Sequence, residues 1–343
     1  MVVQRFLNGQ KLVIPFNQEA KISSRNYSIL LERVITDFGA DTSFRQAAQK
    51  LKEHYGITIS ESAVQSITKK HAEGCYAMQE KDRAMSGTIK AQCVIGEMDG
   101  TMVPIVNFKD DGSLDKRKRR KVGWKEARLS VARKDKSLTK IFLATLGSTP
   151  RAGDLLNRCA KRLGYDEETK VHCLGDGALW IQEQVERVFG AQGNYLIDFF
   201  HLSEYLSGAS EECCPEESKK WLRNRQEEIK EGHIQKVVEL LKKSEDARGE
   251  KNKEGKIQKC LRYIKNRPGQ FKYKEALAEE LPIGSGEIES GNRSLIQRRL
   301  KIPGAWWKQE TAEYMLALCC TRANGDWERY WYFVNPSLTR SAA

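Results

Sequence analysis

Three acidic residues stand beside glycines where an apolar run ends or a helix is predicted to begin. They are Asp99 in VIGEMDGTMVPIV, Asp176 in KVHCLGDGALWIQE and Glu289 in PIGSGEIESGNR. Three carboxylates that converge on one point repel one another unless cations lie between them, and hard cations such as Mg²⁺ prefer oxygen ligands. Two such ions about 3.5–4 Å apart break and join phosphodiesters. The three acids therefore predict a magnesium-dependent enzyme that acts on nucleic acid.

Each acid taken alone also has a simpler interpretation. Asp-Gly, found at Asp99 and Asp176, is a common turn dipeptide. Glu289 is also explained as an acidic residue in the first turn of a helix, where the helix dipole favours it. Glu287 competes with Glu289, and spacing alone does not choose between them. Asp198 and His201 form a D-x-x-H pattern at the end of a predicted strand, and accessory metal, hydrogen-bonding and structural roles are all open.

The net charge of the 343-residue chain is +12, which favours a polyanionic partner such as DNA over a merely solvated basic surface. The nine cysteines include no C-x-x-C pair, so a zinc ribbon is not expected. Their odd number, without a secretory signal, fits reduced thiols in the cytoplasm. The sequence holds no apolar stretch long enough for a membrane span. We therefore expect a cytoplasmic protein, associated with the nucleoid when it binds DNA.

Several basic and aromatic residues are candidates for contact with nucleic acid. Six consecutive basic residues lie in a predicted loop between two strands, where contact with phosphates is preferred over simple solvation; they are Lys116, Arg117, Lys118, Arg119, Arg120 and Lys121. Asn292 and Arg293 follow Glu289 by one helical turn and could reach a phosphate beside the metal ions. Trp306 and Trp307 are compatible with stacking on an unpaired base or with a place in the core.

The N-terminal part of the chain, residues 1–88, predicts helices that begin near Ser24, at Ser43 and at Ser60 or Ser62, with Gly39 and Gly56 as helix ends. Two short helices joined by a tight turn resemble a helix-turn-helix, although any small helical bundle would give the same pattern. Lysines on the polar faces favour a DNA-binding region.

Residues 89–202 predict the order β-β-β-α-β-α-β, an α/β arrangement with a mixed sheet of ribonuclease-H-like order. Asp99 is expected to close the first strand and Asp176 the fourth. These strands are neighbours in that topology, so the two carboxylates would lie side by side at the edge where ligands gather. Residues 203–281 are predicted as an all-α insertion with a flexible joint near 244–256, and residues 282–343 as the C-terminal helices of the catalytic core.

At these residues the chain resembles bacterial insertion-sequence transposases of the DDE class, most closely the ISKra-like branch related to Mutator-type elements. The resemblance runs from about Tyr27 to Trp331. Its matching segments are SFRQAAQKL, EMDGTMVPI, VGWKEARL, LGDGALWI, IDFFHLSEYL, LPIGSGEIES, RRLKIPGAWWKQETAEYMLAL and NGDWERYW.

The resemblance implies a ribonuclease-H-like core with an all-α insertion before the last acid. It implies that Asp99, Asp176 and Glu289 are the catalytic metal ligands, because the family's GSG-x-x-E spacing selects Glu289 over Glu287. It also implies that the D-x-x-H pattern of Asp198 and His201 is a family feature. The expected cofactor is a pair of Mg²⁺ ions, for which Mn²⁺ substitutes, and the expected partners are the transposon ends, the target DNA and further copies of the chain.

Two alternatives to a transposase remain at this point. One is a ribonuclease-H-like nuclease or resolvase that cuts DNA without strand transfer. The other is an inactive transposase derivative that only binds DNA, although acids at all three positions argue against it.

Overall fold

The computed structural model describes residues 27–82, 89–108, 120–247 and 255–336. Five strands form a mixed sheet in the order β3-β2-β1-β4-β5. They are β1 (Cys93–Phe108), β2 (Arg120–Lys134), β3 (Lys140–Thr145), β4 (Lys170–Gly175) and β5 (Gly193–Ile197). β4 pairs in parallel with both β1 and β5, and β2 pairs with β3 in the antiparallel sense. The predicted α/β class with a mixed sheet is confirmed, as is the pairing of the first and fourth strands.

Among the described residues, three helices precede the sheet: α1 (Ile29–Asp41), α2 (Phe44–Tyr55) and α3 (Glu61–Lys81). Ser43 and Gln46 form a capping box at the start of α2, and Gly56 ends this helix in a left-handed conformation (φ 66°). Ser60 caps α3, which decides between the two predicted caps. The predicted stop at Gly39 is wrong, because α1 continues through it to Asp41.

The described part of the chain contains eight further α-helices between residues 149 and 291 and three more near the C-terminus. They are α4 (Thr149–Arg162), α5 (Leu179–Phe189), α6 (Phe199–Cys213), α7 (Ser218–Lys230), α8 (Ile234–Ala247), α9 (Lys256–Lys265), α10 (Tyr273–Ala278), α11 (Gly286–Gly291), α12 (Arg298–Leu300), α13 (Gln309–Ala323) and α14 (Trp327–Val334). A π-helix, Asn292–Gln297, joins α11 to α12.

The described residues divide into two compact units. The first contains residues 27–82, 103–108, 120–125 and 294–336, and the second contains residues 89–102, 126–247 and 255–293. β1 and β2 therefore contribute to both units. This division differs from the predicted boundaries after residues 88, 202 and 281, because the C-terminal helices from residue 294 onward belong with the N-terminal helices.

The second unit has one continuous hydrophobic core. Val94 and Leu174 of the sheet and Leu156 of α4 are fully or almost fully buried in it. Tyr273 and Leu241 from the predicted insertion are buried in the same cluster. The helices α6–α10 are therefore packed as part of this unit, and the predicted joint near 244–256 lies mostly outside the described residues.

Two strand predictions need correction. β1 runs without interruption from Cys93 to Phe108, so Asp99 lies inside it and does not close it as predicted. β5 ends at Ile197, and Asp198 is the N-cap of α6, so the D-x-x-H pattern begins a helix and does not end a strand. All nine cysteines are free thiols in the part of the chain that is described. Among these residues, no helix has both the length and the apolar composition needed to cross a membrane.

Candidate active site

A cavity of about 590 Å³ in the second unit is lined by all three predicted acids, Asp99, Asp176 and Glu289. Its position follows from the sheet. The last paired residue of β1 against β4 is Glu97, and Gly175 at the end of β4 pairs with Ile197 at the end of β5. The carboxyl ends of β4 and β5 and the point where β1 stops pairing with β4 therefore meet at one edge, which is where open α/β sheets bind ligands.

Asp99 lies two residues beyond the last β1–β4 pair and is held from both sides. The N–H of Gly100 donates to Oδ1 (2.7 Å), and Asn292 Nδ2 donates to Oδ2 (2.6 Å). Burial, together with the negative charge of Asp176, raises the pKa of Asp99 to about 6, against the opposing effect of these hydrogen bonds. Asp99 is therefore an oriented carboxyl group whose charged form is less favourable than it would be in water, and a cation would compensate for this.

Asp176 follows β4 in a turn that several contacts make rigid. Its Oδ1 accepts from the N–H of Ala178 (2.8 Å), and its backbone carbonyl accepts from the hydroxyl of Tyr263 (2.7 Å). Gly177 has a φ of 85°, and a Cβ there would lie 2.4 Å from Nε of Arg267. The glycine after Asp176 is thus required both by its backbone conformation and by the close approach of Arg267.

Glu289 lies on α11, and its side chain is mostly exposed, with Arg293 Nη2 at 3.4 Å from Oε2. Glu287, the competing candidate, does not line the cavity; instead it forms an ion pair with Lys140 of β3. The structure thus separates two glutamates that the sequence alone leaves equivalent. Glu289 faces the cavity, and Glu287 is bound to the sheet.

Asp198 connects two parts of the cavity wall. Its Oδ1 accepts from the N–H groups of Phe200 (2.6 Å) and His201 (2.9 Å) at the start of α6. Its Oδ2 accepts from both the N–H and the hydroxyl of Ser285, each at 2.5 Å. Among the open interpretations of this residue, a structural role therefore fits best, because four donors occupy the carboxylate. His201 lines the cavity, and its ring packs edge-on against Tyr205 and Tyr263.

Glu97 is a buried acid that the sequence analysis did not single out. It is 3% exposed, and its Oε2 accepts from the N–H of Ile288 in α11 (2.8 Å). Burial, together with the charges of Glu287 and Asp198, raises its pKa to about 7. Glu97 and Asp99 are two residues apart on one strand and so share a face of the sheet. That E-x-D spacing is the signal that would have identified it.

The predicted nucleic-acid contacts have different surroundings. Lys116, Arg117, Lys118 and Arg119 lie outside the described residues, whereas Arg120 and Lys121 are exposed at the start of β2 in the first unit. Asn292 is only 3% exposed and lies behind Asp99, so its buried amide orients the acid and is not on the surface that would meet a phosphate. Arg293 is exposed beside Glu289.

The donor set of the cavity suits a hard cation, since Asp99, Asp176 and Glu289 offer only oxygen atoms. Burial, together with the nearby charge of Asp176, raises the pKa of Asp99, and a bound cation would offset both effects. Within the described residues, however, no three His, Cys, Asp or Glu side chains are grouped closely enough to hold one metal ion together. The three acids share a cavity wall, and a shared ion would require side-chain movement, most readily of the exposed Glu289.

Comparison with known proteins gives a family. The model of the uncharacterised protein family UPF0236 matches residues 12–334. A UPF0236 protein in the vanSb 3′ region of Streptococcus gallolyticus is 24% identical over 342 residues, which covers 97% of this chain and 72% of that protein. Since the family match extends over almost the whole sequence, the chain belongs to the UPF0236 family.

Proposed function

We propose that this protein is a DDE-class transposase that cleaves DNA at the ends of an insertion sequence and joins them to target DNA. The observation that carries the proposal is the common cavity of Asp99, Asp176 and Glu289. These acids lie on a strand, after a second strand and on a late helix, and six described α-helices separate the second acid from the helix of the third. Three acids so far apart in sequence have no local structural reason to line the same space.

The sheet order β3-β2-β1-β4-β5 supports a ribonuclease-H-like core within this proposal. In such a core the first acid lies on the first strand and the second follows the neighbouring fourth strand. Asp99 and Asp176 have this relationship across the β1–β4 pair. The third acid then comes from a helix that follows the helices α6–α10, as Glu289 does. The assignment of Glu289 as the third acid rests on the resemblance to DDE-class transposases described above.

Asp99, Asp176 and Glu289 would hold the divalent ions. Bound Mg²⁺ supplies activation of the attacking oxygen and stabilisation of the leaving 3′ oxygen. The chain's own contribution is to orient these acids. Asn292 and the N–H of Gly100 hold Asp99, the turn at Gly177 holds Asp176, and Asp198 and Glu97 attach the start of α11 to the sheet.

The proposed substrate is DNA, and the net charge of +12 supports a polyanionic partner. We propose that helices α1–α3 contribute to DNA binding, since α2 and α3 form a helix pair joined by a short turn at Gly56. A reaction that joins two DNA ends needs two active sites, so we propose a homo-oligomer on DNA. The proposed location is the bacterial cytoplasm, at the nucleoid.

The test is cleavage of a duplex that carries the DNA flanking the coding region, in the presence of Mg²⁺. We expect Asp99→Asn, Asp176→Asn and Glu289→Gln each to reduce cleavage by at least about a thousandfold, because each removes a charged ligand. Binding of the same duplex should be retained. Glu287→Gln is the matched control, since Glu287 lies two residues from Glu289 on the same helix but pairs with Lys140; it should cleave like the wild type.

A duplex that already ends in the cleaved 3′-hydroxyl separates strand transfer from simple nuclease activity. The transposase proposal requires joined product from this substrate with Mg²⁺ or Mn²⁺. Cleavage without joining would favour a nuclease or resolvase. DNA binding with neither reaction would favour an inactive derivative, and unchanged cleavage by any of the three acid variants would remove that residue from the site.

A further inference from the structure

Two tryptophans of the first unit are exposed side by side. Trp124 of β2 is 60% exposed and Trp306 is 37% exposed, and their ring centroids are 6.4 Å apart with an interplanar angle of 61°. Trp306 lies in the wall of a pocket of about 390 Å³ in the same unit. Large indole rings are costly to leave in water, so two adjacent exposed ones indicate a binding surface.

The exposure of Trp306 follows from the position of its neighbour. Trp307 forms a parallel bridge with Ile105 of β1, in which its carbonyl accepts from the N–H of Val106 (2.8 Å). In such extended backbone, adjacent side chains point in opposite directions. Trp307 is 5% exposed, packs against Phe44 and donates its indole N–H to the carbonyl of Leu300 (3.1 Å). The core interpretation of the pair therefore applies to Trp307, and Trp306 is left facing solvent.

The surroundings of these rings are cationic. The guanidinium of Arg120 lies 5.3 Å from the ring centroid of Trp306, and the ammonium of Lys308 lies 5.9 Å from that of Phe108, an exposed ring in the same pocket wall. Lys69 also lines the pocket. Among the described residues that line it, none is acidic. The surface thus combines exposed aromatic faces with positive charge.

We propose that this surface, defined by Trp124, Trp306, Phe108, Arg120 and Lys308, binds an unpaired stretch of DNA. Bases would stack on the exposed rings, and phosphates would contact the cations, which is how single strands are bound without sequence preference. Duplex DNA keeps its base faces stacked and cannot use the indoles. An apolar peptide would gain nothing from the cations. The combination therefore favours single-stranded nucleic acid.

This site is independent of the carboxylate cavity. None of its five residues lines that cavity, and base stacking requires no metal ion. Binding can therefore be measured in EDTA, where cleavage is impossible. Failure of the catalytic proposal would leave this result unaffected, and failure of the stacking site would leave the catalytic proposal unaffected.

The experiment measures the affinity of the full-length protein for a fluorescein-labelled thymidine dodecamer by fluorescence anisotropy in EDTA. We expect Trp306→Ala and Trp124→Ala each to weaken binding about tenfold, which is the scale of one lost base stack. Trp306→Phe should keep most of the affinity, because it retains a stacking face. Phe333→Ala is the matched control, since Phe333 is also an exposed ring with a lysine, Lys81, 4.9 Å from its centroid.

A dodecamer with abasic sites separates stacking from charge. The wild type should bind it about a hundredfold more weakly than the thymidine dodecamer, because stacking on both tryptophans is lost, and Trp306→Ala should cause no further loss. Lys308→Gln should weaken both probes and reduce the salt slope of binding by about one. The proposal is overturned if the wild type does not bind the thymidine probe, if both probes bind equally well, or if the two tryptophan variants bind like the wild type.

Discussion

Asp99 is the residue whose surroundings are most informative. It is half-buried, and burial raises its pKa to about 6 although two donors orient its carboxylate. Folding therefore places a charge at neutral pH where the charge is unfavourable. Such a cost is typical of functional sites, where the stability of the fold and its activity compete. In the proposed mechanism, the divalent ion removes this cost.

This leads to a prediction about stability. The pKa of Asp99 is higher in the folded protein (about 6) than in the unfolded chain (about 3.8), so the folded state binds more protons between these values. The free energy of unfolding of the wild type therefore decreases as pH rises through this window. We expect Asp99→Asn to be more stable than the wild type above pH ~6, by on the order of 2 kcal/mol, with the difference vanishing near pH ~4.

The measurement is chemical denaturation in EDTA between pH ~4 and ~8. Asn292 can accommodate the new amide, because its buried Oδ1 has no hydrogen-bond partner among the described residues and could accept a hydrogen bond from it. Glu287→Gln is the control, since it loses only a partly exposed ion pair with Lys140 and should change stability by less than about 1 kcal/mol. A lower stability of Asp99→Asn at pH ~8 would show that the charge of Asp99 is not unfavourable there.

At the scale of elements, Asp198 connects the start of α6 to the loop before α11. We expect Asp198→Asn to keep the cap on α6 through Oδ1 but to weaken the contact with Ser285, because an amide nitrogen cannot accept a hydrogen bond. Amide hydrogen exchange in residues 285–291 should then accelerate about tenfold or more. Cleavage should also decrease, since Glu289 lies on this helix.

Ser285→Ala is the graded control for this connection. It removes the hydroxyl donor but keeps the backbone N–H donor to Asp198, so its effect on exchange should be smaller. Amides of β4, which lie in the sheet interior, should stay protected in both variants. Unchanged exchange in residues 285–291 of Asp198→Asn would show that α11 is held by other contacts.

The elements themselves could largely be predicted from sequence. Caps at Ser43 and Ser60 and the left-handed stop at Gly56 depend on residues close in sequence, and these predictions are confirmed. The predicted helix end at Gly39 was wrong because this glycine is explained by a tertiary contact. It lies inside α1, and a Cβ there would come within 2.1 Å of Thr68 Oγ1 on α3. The glycine permits a close helix contact, which no local pattern can distinguish from a helix end.

The candidate site shows the same division between local and long-range information. The position of acidic residues beside glycines predicted Asp99, Asp176 and Glu289 as site residues, and these three line one cavity. The buried role of Asn292 and the presence of Glu97 were not predicted, because both depend on α11 and the π-helix packing against β1. Which of two nearby glutamates turns toward the sheet was likewise fixed by a distant residue, Lys140.

At the scale of the whole molecule, the two compact units are each built from segments remote in sequence. Residues 294–336 join helices α1–α3 in the first unit, where Gln79 of α3 donates to the carbonyl of Ala317 in α13 (3.0 Å). Boundaries drawn along the chain could not anticipate this, because composition changes mark linkers and do not show which helices pack together. The acids of the proposed catalytic site all belong to the second unit.

The central claim is that Asp99, Asp176 and Glu289 share divalent ions. It is tested most directly by replacing Mg²⁺ with Fe²⁺ in the presence of ascorbate and peroxide, so that hydroxyl radicals formed at the bound ion cut the nearby backbone. We predict breaks clustered around residues 99, 176 and 289, suppressed by excess Mg²⁺ and lost in Asp99→Asn. Breaks confined to one of these segments, breaks elsewhere in the chain, or a pattern unchanged in Asp99→Asn would contradict the claim.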